Sequence, residues 1–179
     1  MEMRRISIVG TTGSGKSTLA RKLGRTLHIP VTELDALHWE PNWTESSPEQ
    51  LSTRVARIVT GECWVLEGGY SRVRPQIWTR ADTVIWLDYS FPVNFTRLVK
   101  RTARRIVFRE VLWSGNRESL ARTFSRDSIL IWLFKTHRAG RSKFVTQLAQ
   151  PEYAHLNVHH FRSPRQTDAW LRALSNSIN

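Results

Sequence analysis

The chain has 179 residues, a single cysteine (Cys63), and 27 Lys+Arg against 15 Asp+Glu, giving a formal net charge of +12. That length suffices for one domain with a real core, a lone thiol excludes an internal disulfide framework, and no apolar stretch is long enough to cross a bilayer. No secretory h-region precedes the first strand and no internal repeat is present, so the expectation is one domain over residues 1–179 in a reducing cytoplasm.

The first strand is expected over Arg5 to Val9 and leads directly into Gly10-Thr11-Thr12-Gly13-Ser14-Gly15-Lys16-Ser17-Thr18, with a helix from Lys16 to Leu27. Strand, glycine-rich loop and helix, in that order, make a phosphate-binding P-loop, or Walker A motif. The glycines let the backbone turn its N–H groups inward, and these amides together with the helix N-terminus cradle a polyphosphate. Gly10 through Thr18 are therefore the expected nucleotide-binding residues, with Lys16 reaching the β- and γ-phosphates and the Ser17 hydroxyl ligating Mg²⁺.

A second strand is expected over Pro30 to Leu34, followed by a helix over Pro48 to Val59. Ser47 is the N-cap of that helix, Pro48 its first residue and Gln50 the partner in a capping box. Further strands are expected at Cys63 to Glu67, Thr83 to Leu87 and Asn157 to Phe161. Further helices are expected from Pro92 to about Val107, from Glu118 to about His137, and from Pro164 to Leu174 after the Ser163 cap. Alternating strands and helices imply a parallel sheet covered on both faces, with ligands at the carboxyl ends of its strands.

Those ends carry three acids in a chain poor in acid: Asp35, Glu67 and Asp88. Aspartate after a strand also serves as a turn cap, the plainer role open to Asp35 and especially to Asp88. Phosphoryl transfer needs Mg²⁺ across the β- and γ-oxygens, held by the P-loop hydroxyl and a strand-end carboxylate, and Glu67 fits that Walker B position, with contact through water. A second carboxylate near the acceptor can orient a hydroxyl or take its proton, the role expected of Asp35.

The charge is uneven. Between Arg97 and Lys143 there are 13 Lys/Arg against Glu110, Glu118 and Asp127, so this block carries +10 of the +12. Such a block attracts polyanions, either nucleotide phosphates or nucleic acid. Trp64 and Trp86 lie in strand runs, and Trp132 and Trp170 in apolar helical patterns, as core residues do. Trp39 and Trp43 follow Asp35 in a polar loop with His38 between, where they either line a small acceptor pocket or clamp the loop down. The six histidines show no metal-ligand spacing.

Gly10 to Ser17, Leu34-Asp35-Ala36-Leu37-His38-Trp39, Trp64-Val65-Leu66-Glu67-Gly68-Gly69-Tyr70-Ser71-Arg72 and Val84-Ile85-Trp86-Leu87-Asp88-Tyr89 resemble the adenylate-kinase-related P-loop proteins called topology modulation proteins. Leu112-Trp113-Ser114-Gly115-Asn116-Arg117-Glu118-Ser119 is similar to the middle of the same family, so the resemblance spans most of the chain. It implies an α/β P-loop NTPase: a three-layer sandwich with a central parallel five-stranded sheet and a helical lid over about residues 97–143. By the same resemblance Glu67 stands on the magnesium shell and Arg72 reaches a substrate phosphate. Glu in place of the usual Asp adds one methylene, which favours contact through water over direct ligation. The lid is expected to supply Arg122 and Arg126 to the phosphates, with Arg105 behind them, and the turn holding Arg162 and Pro164 to lie beside the base.

The implied activity is Mg-dependent phosphoryl transfer from ATP to a small-molecule or nucleotide acceptor. Two other readings stay open from the basic block: a nucleic-acid-binding ATPase acting on DNA topology, and a polynucleotide 5′-hydroxyl kinase. Oligomeric state is not legible.

Overall fold

The computed structural model describes residues 3–119 and 128–178. Five strands, β1 (Arg5–Gly10), β2 (Val31–Glu33), β5 (Trp64–Glu67), β6 (Thr83–Leu87) and β7 (Asn157–Phe161), form one all-parallel sheet in the spatial order β2-β5-β1-β6-β7. A small antiparallel pair, β3 (Trp39–Glu40) and β4 (Thr44–Glu45), stands apart from it. The helices are α1 (Lys16–Leu27), α2 (Leu34–His38), α3 (Pro48–Val59), α4 (Arg74–Trp78), α5 (Phe91–Val107), α6 (Ile129–Leu148) and α7 (Pro164–Ile178). β1 lies mid-sheet, with the chain running from it to β2 on one side and later to β6 on the other, so the loop after β1 opens at the switch point of an α/β sheet.

Every residue of β5 and β6 is buried, as expected of parallel strands covered on both faces. Successive side chains divide between two cores. Ile6, Ile8, Val65 and Ile85 meet Leu19 and Leu23 of α1 on one face, whereas Leu66, Val84 and Trp86 meet Val55 of α3, Trp78 of α4 and Phe144 of α6 on the other. Trp64 and Trp86 are thus core residues, and Trp170 packs against the first cluster; the side chain of Trp132 lies outside the described residues. Trp78 is fully buried, its indole N–H donating to Ser7 Oγ at 3.3 Å. Truncating such a side chain to alanine costs about 3–5 kcal/mol.

The α3 capping box forms as expected: Ser47 Oγ accepts from the Gln50 N–H at 3.2 Å, and Gln50 Oε1 from the Ser47 N–H at 2.9 Å. Three expectations need correction. β2 stops at Glu33, because Leu34 turns inward to start α2 and packs against Gly68. At Gly68, with φ +146°, a Cβ would stand 2.7 Å from Leu34 Cβ, so only glycine lets the two elements meet. The polar loop after Asp35 is α2 and the β3–β4 hairpin, whose two-residue strands are too short for an alternating pattern.

The third correction concerns the helix expected over Glu118 to His137. Residues 116–119 are not helical, residues 120–127 lie outside the described set, and α6 runs on to Leu148. Leu133, His137, Arg141, Phe144 and Leu148 follow one another at helical spacing; Leu133 and Phe144 are buried and Leu148 packs against a core cluster, whereas Arg141 is exposed. His137 Nε2 hydrogen-bonds the Tyr89 carbonyl at 3.2 Å, and Arg141 Nε pairs with Asp88 at 3.0 Å. A hydrophobic stripe interrupted by His and Arg reads as a helix end. Among the described residues no helix is long and apolar enough to cross a membrane.

Candidate active site

The P-loop is built from backbone. Gly13 has φ +80°, and a Cβ there would lie 2.3 Å from the carbonyl oxygen of Asn94 in α5, so α5 and the loop pack glycine-close. Ser14 and Lys16 meet the loop through Thr11: the Ser14 N–H donates to the Thr11 carbonyl at 3.2 Å, as does Lys16 Nζ at 3.2 Å. The N-cap of α1 is Gly15, which offers no side-chain acceptor, and no acid lies in the first turn. The first N–H groups of α1 therefore keep their capacity for an anion. Ser14 Oγ is buried without a hydrogen-bond partner, a second polar group at the cradle awaiting a ligand. Thr12 is half-buried and Thr18 exposed at the margins.

Three strand ends converge on this cradle. Ile8 of β1 and Glu33 of β2 are both in register with Glu67 of β5. Ser17 Oγ donates to Glu67 Oε1 at 2.6 Å, which brings together the hydroxyl and carboxylate expected to flank Mg²⁺. Oxygen donors of this kind suit Mg²⁺, and the paired hydroxyl and carboxylate fit a shell completed by water and phosphate. Burial pushes the Glu67 carboxyl above its ordinary range, opposed by the Lys16 charge and the Ser17 hydrogen bond. Burial likewise lowers the Lys16 ammonium, while Glu67 and Asp35 hold its charge.

Asp35 lies in the first turn of α2 and accepts from the Tyr70 hydroxyl at 2.6 Å through Oδ1; Oδ2 makes no hydrogen bond among the described residues. Burial, then the Asp35 charge, raises the Tyr70 phenol far above its ordinary value, so it remains a donor. Opposite stands Arg101 of α5. Burial and Arg105 make its charge costly, and Glu118, Asp35 and Glu67 offset that cost; its Nε has no hydrogen-bond partner. A guanidinium in the field of these carboxylates, with its Nε unpaired among the described residues, suits an anion. One turn earlier, Arg97 Nη1 donates to the Ser14 carbonyl at 3.2 Å, and its guanidinium lies 5.5 Å from the centre of the Tyr89 ring. Tyr89 is tied in turn to α7 by the Thr167 hydroxyl at 2.6 Å. The turn holding Arg162 and Pro164 starts that helix, with the Arg162 N–H donating to Gln166 Oε1 at 2.8 Å.

The expected residues thus divide. Lys16, Ser17, Glu67 and Asp35 come together. Arg72 does not join them: it is exposed, and the carboxylate its field reaches is Glu49 at the start of α3. Arg122 and Arg126 lie outside the described residues. Asp88 is a structural residue, its carboxylate gripped by Arg141 and by His160 Nε2 at 2.9 Å, with the imidazole stacked on Trp86 at 4.1 Å. Sequence reasoning passed over Glu33, Tyr70, Arg97 and Trp113. Glu33 accepts from Arg21 at 3.1 Å and from the Trp113 indole at 3.1 Å. Helical spacing of Arg97 from Asn94, the residue under Gly13, is the one signal for Arg97, whereas Arg101 stands in the basic block at helical spacing from Arg104 and Arg105.

No family model and no curated protein matches the chain. Solved structures do. Shikimate kinase from Bacteroides thetaiotaomicron is 16% identical, with a TM-score of 0.55 over 99% of each chain. A gluconokinase from Sinorhizobium meliloti 1021 is 14% identical, with a TM-score of 0.54 over 98% of this chain and 91% of that one. Deoxyadenosine kinase from M. mycoides is 14% identical, with a TM-score of 0.54 over 97% and 98%. At such identities the likeness speaks for architecture: this chain has the fold of the P-loop kinases, a five-stranded parallel sheet flanked by helices.

Proposed function

We propose that the protein transfers the γ-phosphoryl group of ATP, with Mg²⁺, to a hydroxyl of a small acceptor. The observation that carries this reading is the convergence of Lys16, Ser17, Glu67, Asp35 and Arg101 at the mouth of a P-loop whose helix is left uncapped. Neighbours of the same fold named as shikimate, gluconate and deoxyadenosine kinases support it.

In this mechanism the loop amides and Lys16 hold the β- and γ-phosphates, and Arg101 meets the γ-phosphoryl oxygens from the other side. Mg²⁺, when bound beside Ser17 and Glu67, neutralises charge on the β- and γ-oxygens. Asp35, oriented by Tyr70, takes the acceptor proton on Oδ2. The acceptor oxygen forms the new bond to phosphorus, the bond from phosphorus to the bridging oxygen breaks, and ADP leaves with that electron pair. Arg97, Arg162 and Pro164 border the base. Lid residues Arg122 and Arg126 are proposed to close over the phosphates, and Arg72 to serve the acceptor only after a change of position. The sequence motifs make the topology modulation type the finer reading, in one cytoplasmic domain.

Three arginines of the basic block are engaged internally: Arg104 pairs with Glu110 at 2.9 Å, Arg105 with Glu118 at 2.7 Å and Arg141 with Asp88 at 3.0 Å. This favours the lid over a nucleic-acid grip. The test is a panel of nucleosides, nucleotides, sugar acids, polyols and 5′-hydroxyl oligonucleotides, screened for acceptor-stimulated ADP release with the product confirmed by mass. Stimulation by a small hydroxyl compound is expected. Stimulation by oligonucleotides alone would replace this reading with the polynucleotide one.

A further inference from the structure

The β3–β4 hairpin and the tip of the lid are bound directly to each other. Asn116, only 5% exposed, accepts from the Trp43 N–H at 2.8 Å through Oδ1 and donates through Nδ2 to the Glu40 carbonyl at 2.9 Å. Ser114 Oγ donates to the Trp39 carbonyl at 2.6 Å, and the Trp43 indole donates to the Arg117 carbonyl at 3.1 Å. The tip is itself a miniature hairpin, with Val111 bridged to Arg117 across a turn at Trp113–Gly115. The hairpin is moored to the body by Arg54, which reaches the Leu37 carbonyl and Glu40, both at 2.6 Å.

Aromatic rings repeat the connection. Tyr70 lies 4.6 Å from His38, His38 4.9 Å from Trp39, Trp39 5.4 Å from Trp43, and Trp43 6.5 Å from Trp113, centre to centre. Tyr70 bonds Asp35 of α2 at one end and Trp113 bonds Glu33 at the other, so the circuit closes beside the paired ends of β2 and β5, at Glu33 and Glu67. Backbone strain sits at the junction: Asn42, Trp43 and Ser114 have φ of +59°, +58° and +54°. Non-glycine residues hold such angles only where their surroundings over-determine them, and they cluster at clamps and switches.

We propose that residues 39–45 and 111–117 form one clasp over the acceptor side, latched by Asn116, which selects small acceptors because hairpin and lid must open and close together. An acceptor must be enclosed by the circuit or break it, and a polymer end breaks it. The selective role rests on the phosphoryl-transfer reading; the clasp itself does not.

The experiment is hydrogen exchange by mass spectrometry on the full chain, wild type against Asn116→Ala. Both segments should lose protection together, about 10-fold or more, while residues 10–18 keep theirs. Loss in one segment alone, or in neither, overturns the clasp. Ser114→Ala removes one exposed donor and gives the same comparison where Asn116→Ala fails to fold. In parallel, acceptor-free ADP release and phosphorylation of a 5′-hydroxyl hexanucleotide should each rise about threefold or more in Asn116→Ala, as water and a larger acceptor gain entry. Joint loss of protection without either rise overturns the selective role. Joint protection in a wild-type protein that never releases ADP would support the clasp and overturn phosphoryl transfer.

Discussion

The phosphate side and the acceptor side of this site are held by different means. Around the P-loop, position is set by backbone: glycine-close packing of Gly13 under Asn94, strand register, and a buried apolar sheet. Around the acceptor, position is set by side chains reaching across long sequence gaps, Tyr70 to Asp35, Trp113 to Glu33 and Asn116 to Glu40 and Trp43. The backbone frame leaves positions such as Gly13 no room for a side chain, whereas side-chain circuits can be lost one bond at a time. In the proposed reaction the phosphate half supplies the phosphate-holding machinery and the acceptor half the specificity.

The largest expected effect is on the phosphate side. Lys16→Ala should lower every ATP-dependent turnover, with or without acceptor, by about 3 kcal/mol of barrier or roughly 10²-fold, while the unfolding midpoint is kept. A folded variant with unchanged turnover would remove the P-loop from the mechanism. Asp35→Asn should instead separate the halves: calorimetric ATP affinity stays, and acceptor-dependent ADP release falls about 10²-fold. A large loss of ATP affinity would move Asp35 to the magnesium shell and erase the division.

A smaller effect is expected from Glu67→Gln, which keeps size but removes charge. Nucleotide affinity measured with Mg²⁺ should drop about 10-fold, against little change in metal-free buffer. Equal losses would return Glu67 to a structural role. The smallest effect is on stability. Because burial raises the Glu67 carboxyl above 4.5, the folded chain binds that proton more tightly than the unfolded chain does. Stability of the ligand-free protein therefore falls as pH rises from 4.5 through the folded value, and Glu67→Gln should lack this component in urea titrations. Parallel profiles for the two proteins would mean that Lys16 and Ser17 fully compensate the burial.

The same division explains what was legible in the sequence. Gly10 to Ser17 is contiguous and its chemistry follows from spacing, and Glu67 is marked by the apolar strand it ends. Tyr70 and Trp113 fall within motif stretches, but nothing local marks what they or Glu33 bind, since the partners lie 35 to 80 residues away and only the fold joins them. Asp88, of the three acids the one most open to a plain role in the sequence, is bound by Arg141 and His160, both distant in sequence. The far half of α6 is hidden for a related reason: His137 and the exposed Arg141 interrupt its apolar pattern, and their partners Tyr89 and Asp88 lie far off in sequence.

One consequence concerns α5. Asn94 beneath the P-loop, Arg97 beside it, Arg101 facing the carboxylates and Arg105 under Trp113 follow one another at intervals of three, four and four, along a single face of an unbroken helix. In the proposed reaction the helix is thus a ruler that sets the distance from the P-loop to the segment beyond Val107. Inserting or deleting one residue between Asn94 and Arg105 would swing every later arginine by about 100° away from its target. A substitution along that stretch alters one contact, whereas a change of its length alters all those beyond it. The turn beyond Val107, where the chain leaves the helix, is where added length would leave this spacing intact.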